Sequence, residues 1–234
     1  MKLLILLFLA ISVWADIGTV MVVKGQAQVN RSEQMLDAIS GMKLLKADEI
    51  VTKAKSRVQV MLLDNTVITI GANSSFKFND ISFDGSSESK ADMKASRGFF
   101  RCVTGEIAKV APERFKVKTA SATIGIRGTD FSGEIMPKRE IIRCYSGVIT
   151  VQYASYFKEI KAGKMIELRQ NEINIRDMKT SREKNRDQEN YQVVEKELDT
   201  PSLPTESISE ITTQQEQTKP SGGNPDLGGP TAGP

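Results

Sequence analysis

The stretch Arg57-Val58-Gln59-Val60-Met61-Leu62-Leu63-Asp64-Asn65-Thr66-Val67-Ile68-Thr69-Ile70 decides the fold class. Val58, Val60 and Leu62 fall on alternate positions, the period of a strand with one buried face. Thr66 to Ile70 is a second run of β-branched residues. Asp64-Asn65 stands between them, and both residue types tolerate the left-handed backbone that a two-residue hairpin turn demands. The neighbouring sequence is of the same kind. Residues 18–29 are rich in Val, with a glycine at 25. Phe76, Phe78, Ile81 and Phe83 follow between Asn- and Gly-containing turns. Further strands are expected at 98–110, 114–119, 122–126, 129–135, 140–145 and 148–153. A last pair, 157–161 and 164–168, flanks Ala162-Gly163. Short strands with frequent turns indicate a single all-β domain over 16–176, a sandwich, barrel or solenoid of stacked strands and hairpins.

The ends of the chain read differently. Lys2 precedes an apolar run from Leu3 to Val13, broken only by Ser12, and Val13 and Ala15 suit a signal-peptidase site. That run is too short for a spanning helix, which needs about 20 residues. Residues 1–15 are therefore expected to be a removed signal peptide, with Asp16 as the mature N-terminus and no transmembrane segment after cleavage. No Cys follows the run, which argues against a lipid anchor. From Met178 onward there are six Lys/Arg and ten Asp/Glu, so an acidic tail follows a basic body. Such a body suits an anionic partner or serves solubility. Thr180-Ser181-Arg182-Glu183 can form a capping box, which places a polar helix over 177–198. Residues 199–234 are rich in Pro, Gly, Ser and Gln. They cannot bury enough apolar area to offset their ordering entropy and are expected to be disordered.

Catalytic chemistry has little to work with. The chain has no His, which removes the usual general base near neutral pH, the His-dependent nucleophile arrangements and most zinc sites. No Gly-rich phosphate loop opens a helix, and nothing points to nucleic acid. No catalytic residue, metal ligand or cofactor is assigned. Carboxylates number 29 with Asp and Glu together, so a carboxylate-based hydrolase is the remaining enzymatic reading. The two cysteines, Cys102 and Cys144, sit in an echo: Arg101-Cys102-Val103-Thr104-Gly105-Glu106-Ile107 and Arg143-Cys144-Tyr145-Ser146-Gly147-Val148-Ile149. Two such units stacked on each other would bring equivalent positions together, and an exported chain meets an oxidising compartment. A Cys102–Cys144 disulfide is the expectation.

One segment stands out: Thr119-Ala120-Ser121-Ala122-Thr123-Ile124-Gly125-Ile126-Arg127-Gly128-Thr129-Asp130-Phe131. A glycine inside a strand pattern signals a bulge or a close backbone approach. Arg127 would project from the bend, where a guanidinium can hold backbone carbonyls or a carboxylate. Arg127, Gly128, Thr129 and Phe131 are thus a structural motif first, and a partner contact second.

This pattern resembles the FecR domain, named for the iron-dicitrate signalling regulator of bacterial envelopes. The family's Thr-rich approach and Val/Ile-Arg-Gly-Thr-x-Phe motif correspond to Val117-Lys118-Thr119 and Ile126 to Phe131, and its later Gly-Val/Ile-Val segment to Gly147-Val148-Ile149-Thr150-Val151. Upstream, Leu44/Leu45, Asp48, Ile50 or Val51 and Thr52 follow its Leu-x-x-Gly-Asp-x-Ile-x-Thr pattern, with Ala47 in the Gly position. Asp64-Asn65-Thr66 and Ile70-Gly71-Ala72-Asn73-Ser74 fill the roles of its Asp-Gly-Ser hairpin and Leu-Gly-x-Asn/Ser step. The resemblance implies an all-β periplasmic domain, in the regulators joined to a cytoplasmic anti-sigma segment by a transmembrane helix. Here a signal peptide and an acidic tail stand instead. The expectation is an exported, non-catalytic interaction or sensory module in the cell envelope, meeting an envelope protein or a cell-wall polymer. A glycan-binding module is the alternative, against which the 6% aromatic content counts.

Overall fold

The computed structural model describes residues 15–169 and 172–178. The expected signal peptide, polar helix and disordered tail fall outside these residues, apart from Ala15 and the 177–178 join. The strands are β1 (Asp16–Lys24), β2 (Ala27–Arg31), β3 (Gln34–Asp37), β4 (Lys43–Leu45), β5 (Glu49–Thr52), β6 (Arg57–Leu62), β7 (Val67–Ile70) and β8 (Ser75–Ser82). They continue with β9 (Lys90–Val103), β10 (Phe115–Lys118), β11 (Ala122–Met136), β12 (Arg139–Tyr153), β13 (Tyr156–Lys161), β14 (Lys164–Arg169) and β15 (Glu172–Asp177). A four-residue helix, α1 (Ile107–Val110), and a 3-10 turn (Pro112–Arg114) lie between β9 and β10. The fold is all-β, as expected, and all the described strands belong to one hydrogen-bonded sheet.

That sheet has two halves, because three strands are long enough to serve in both. β9 pairs with β8 and β10 up to Arg97, and with β7 and β11 from Gly98 on. β11 pairs with β10 and the end of β12 before Gly128, and with β9 and the start of β12 after it. β12 pairs with β14 before Gly147 and with β13 after it. The order is β3-β2-β5-β8-β9-β10-β11-β12-β13 in one half and β4-β1-β6-β7-β9-β11-β12-β14-β15 in the other. Each crossing strand turns at a glycine of positive φ: Gly98 at +83°, Gly128 at +58° and Gly147 at +73°.

The inner faces share one core. Val58, Val60 and Leu62 are buried, as their alternation requires. Phe76 of β8 meets Phe100 of β9 with ring centroids 5.4 Å apart, and Phe100 meets Phe131 of β11 edge-to-face at 5.8 Å. These rings join the two halves, and edge-to-face contact adds about 0.5–1.5 kcal/mol to what their burial already contributes.

Three expectations are corrected. The strand expected over 98–110 begins at Lys90 and ends at Val103. Gly105 runs so close beneath the hairpin turn that a Cβ there would sit 2.0 Å from the Asp64 carbonyl oxygen. The Ile107 N–H donates to the Asp64 carboxylate at 3.0 Å, which starts a helical turn in place of more strand. Second, the pairs 122–126/129–135 and 140–145/148–153 are single bent strands, because a positive-φ glycine redirects the chain without ending its ladder. Third, Cys102 and Cys144 are both free thiols and buried. The echo is real, but its two copies flank β11 instead of stacking. Phe131 is the pairing partner of Cys102 on one side and of Cys144 on the other. Two strand spacings put the Cα atoms roughly 10 Å apart, beyond the ~4.4–6.8 Å a disulfide spans. Burial raises the pKa of both thiols, most for Cys102, which also faces Asp64 and Asp130, so neither is a ready nucleophile. Thiol titration of the denatured, unreduced chain should find two free thiols per molecule; finding none would contradict this placement.

Candidate functional site

The site is built around the turn of β11 and β12. The register slips between Arg127 and Phe131, which marks a bulge on β11. Gly128 supplies the positive φ, and a Cβ built there would meet nothing within 4 Å. The tight approach is at its neighbour. A Cβ on Gly147 would lie 2.1 Å from the Gly128 carbonyl oxygen and 2.9 Å from Thr129 Cγ2. The two glycines thus turn side by side, one for backbone conformation and the other for both conformation and space.

The groups that hold this corner come from the end of β9, the residue after it and β12. The Thr129 N–H donates to Thr104 Oγ1 at 2.8 Å, and the Thr104 N–H and hydroxyl both donate to the Thr129 carbonyl at 3.0 Å. Arg101 donates to both carboxylate oxygens of Asp130, at 2.9 and 2.6 Å, and its guanidinium lies 4.8 Å from the centroid of the Tyr145 ring. The Ser146 hydroxyl accepts from the Asp130 N–H at 3.2 Å. Thr129 and Phe131 are buried, and Phe131 is fully enclosed. Arg127 is exposed and makes no hydrogen bond or ion pair among the described residues. The role expected of Arg127, holding groups freed by the bend, falls to Arg101 and Thr104. Sequence reasoning passed over Arg101 as part of the cysteine echo. Its signal was there: Arg101 sits one residue before Cys102, on the face opposite the core.

Upstream, the remaining motif residues form the rest of the frame. Asp48 is buried; its two oxygens share the Arg31 Nε–H at 2.9 and 3.3 Å, and it accepts from Arg31 Nη2 at 2.7 Å and from the Leu45 N–H at 2.8 Å. The Asp48 hydrogen bond raises the Arg31 pKa. Ala47 adopts φ +69°, which costs a residue with a Cβ about 1–2 kcal/mol. Asn65 and Asn73 take φ +64° and +53°, as expected of turn asparagines.

The bend has a second consequence. It brings both ends of β11, and both ends of β12, back toward each other. Between them lies a cleft of about 560 Å³. The buried Glu140 carboxylate closes its back, accepting from Thr119 Oγ1 at 2.6 Å and the Ser121 N–H at 2.9 Å. Nearby, Arg139 and then Arg169 hold the Glu167 carboxyl down to about 2.

With this geometry in view, comparison with known proteins is direct. The family described as "FecR protein" matches residues 48–150. The chain carries a FecR domain. The matched span runs from the Asp48 pair through all three glycine turns, so the FecR motif residues are the frame of the corner. None of the curated proteins compared matches the chain. Two crystal structures of a candidate anti-sigma factor from Parabacteroides distasonis, at 2.50 and 1.65 Å, are similar at 17% and 18% identity with TM-scores of 0.47 and 0.46. Each similarity covers 55% of this chain and 59% of that protein. A cell surface anchoring domain aligns over 26% of this chain and 82% of its own, at 21% identity and a TM-score of 0.26. The chain spans less than two thirds of the anti-sigma factor's length.

The two corner glycines of the FecR domain separate by experiment. Gly128→Ala should cost about 1–2 kcal/mol, the strain of positive φ alone. Gly147→Ala should cost a further 1–3 kcal/mol or so, because its Cβ must displace backbone. Urea unfolding of both variants checks the order; equal losses would contradict the packing described.

Proposed function

We propose that this chain is an exported, non-catalytic interaction or sensory module of the bacterial envelope, and that Arg127 is its contact with an envelope protein. The FecR domain supports a signalling or regulatory class of protein. Export rests on the pattern of residues 2–15, and among the described residues no helix is long and apolar enough to cross a membrane.

One observation carries the reading of Arg127. The corner is fixed by Arg101, Thr104, Asp130 and Ser146, while the arginine at its apex points to solvent with nothing to hold. A guanidinium offers five donors in a rigid fork suited to a carboxylate. It stands on a bulge whose backbone is restrained on both sides, so little ordering entropy is lost when a partner is met.

Arg127→Ala should therefore leave the melting midpoint nearly unchanged, within the ±0.5 kcal/mol usual for surface positions. The same variant should lose a protein cross-link formed in cells by the parent. A midpoint several degrees lower would make Arg127 a structural residue instead. Retention of the cross-link, or capture of peptidoglycan with no protein partner, would overturn the proposed contact.

A further inference from the structure

The cleft at the open end of the two sheet halves has a chemistry of its own. Its rim is cationic. Arg97 enters from β9 and Lys138 from the β11–β12 turn; both are exposed, and neither is hydrogen-bonded or ion-paired among the described residues. The other two rim cations, Arg139 and Arg169, share the single Glu167 carboxylate, at 2.7 and 2.6 Å. The one lining carboxylate, Glu140, is turned inward and engaged by Thr119 and Ser121. The floor is apolar, made by Met136, Pro137 and Tyr153, while Ile135 and Leu168 also line the cleft but are almost wholly enclosed. Part of the wall, Tyr153, Leu168 and Arg169, lies beyond the span matched by the FecR family.

We infer that this cleft binds a small amphipathic anion, a carboxylate carried on a short apolar body. The head group is placed between Arg97 and Lys138, where two uncompensated cations face one opening, and the apolar body lies on Met136, Pro137 and the Tyr153 ring, next to the enclosed Ile135 and Leu168. A volume of about 560 Å³ falls within the ~300–1,000 Å³ of small-molecule sites. A long acyl chain or a folded partner would overfill it. A dianion without an apolar part would leave the floor wet, and a neutral chain would leave the two cations without a counter-ion. The same chemistry comes from two sources, a free short-chain acid or the C-terminal carboxylate of a peptide ending in an apolar residue. This site is independent of the Arg127 corner, and its failure leaves that reading untouched.

The test is a titration of the full chain, labelled at Ile and Leu methyl groups, with sodium octanoate followed by NMR. Parallel titrations use octanol, inorganic phosphate, and N-acetyl-leucyl-leucine as free acid and as amide. Octanoate should shift the Ile135 and Leu168 methyls saturably, and octanol and phosphate should bind about tenfold more weakly or not at all. A doubly substituted Arg97→Gln, Lys138→Gln chain should fold normally, since both side chains are exposed, and bind octanoate about tenfold more weakly, the range open to two exposed ion pairs. Tighter binding of the dipeptide acid than of octanoate, lost in its amide, assigns the site to a peptide terminus; the reverse order assigns it to a free acid. Absence of saturable shifts at Ile135 and Leu168, equal binding of octanol or phosphate, or an unaltered affinity in the double variant each overturns the proposal.

Discussion

The carbonyl oxygen of Gly128 occupies the place that any side chain on Gly147 would need. Two adjacent strands can therefore change direction together while remaining paired. Everything else in the domain depends on that joint turn. Because β11 and β12 bend side by side, and β9 bends at Gly98, one sheet folds its two halves over a shared core without breaking the ladders that cross between them. Phe76, Phe100 and Phe131 then bridge the halves. Each buried ring contributes roughly 1.5–3 kcal/mol, and each would be exposed if the halves opened.

A bend of this kind frees backbone groups, and the corner shows how they are satisfied. Thr104 takes both the N–H and the carbonyl of Thr129, so the bulge leaves neither unpaired. Arg101 and Asp130 form a bidentate pair whose side chains are 11% and 20% exposed. At that depth the pair is less screened than a surface bridge, and the fork geometry fixes the angle of the bulge as well as adding energy. Arg127 takes no part, which separates the arginine that shapes the corner from the one displayed on it. The same bend joins the far ends of the strands through Glu140, so the cleft and the corner are two products of one backbone event.

Much of this was legible in the sequence, and the failures have physical causes. The Arg57 to Ile70 hairpin could be read because its alternation, β-branching and turn chemistry all agree. The FecR pattern of Ile126 to Phe131 located the corner, and the in-strand glycine foretold a bulge. What could not be read was continuity. A glycine that ends a strand and one that bends it look alike locally; only pairing across Gly147 tells them apart. The cysteine echo misled for a related reason. Equivalent positions in two units meet when the units stack, but here a third strand, β11, lies between them, and that is a fact of topology. Residues 104–110 failed because Asp64, some forty positions away, caps a turn there. The cleft lay beyond sequence reading altogether, since its walls come from five separate segments brought together by the bend.

Native-state amide hydrogen exchange tests the joint turn most directly. If Gly128 and Gly147 hold the two halves as one cooperative unit, the amide of Thr129 should open with the same free energy as those of Ile124 in one half and Phe131 in the other. A corner amide that exchanges by a separate, much cheaper opening, with the halves protected to different extents, would contradict the account.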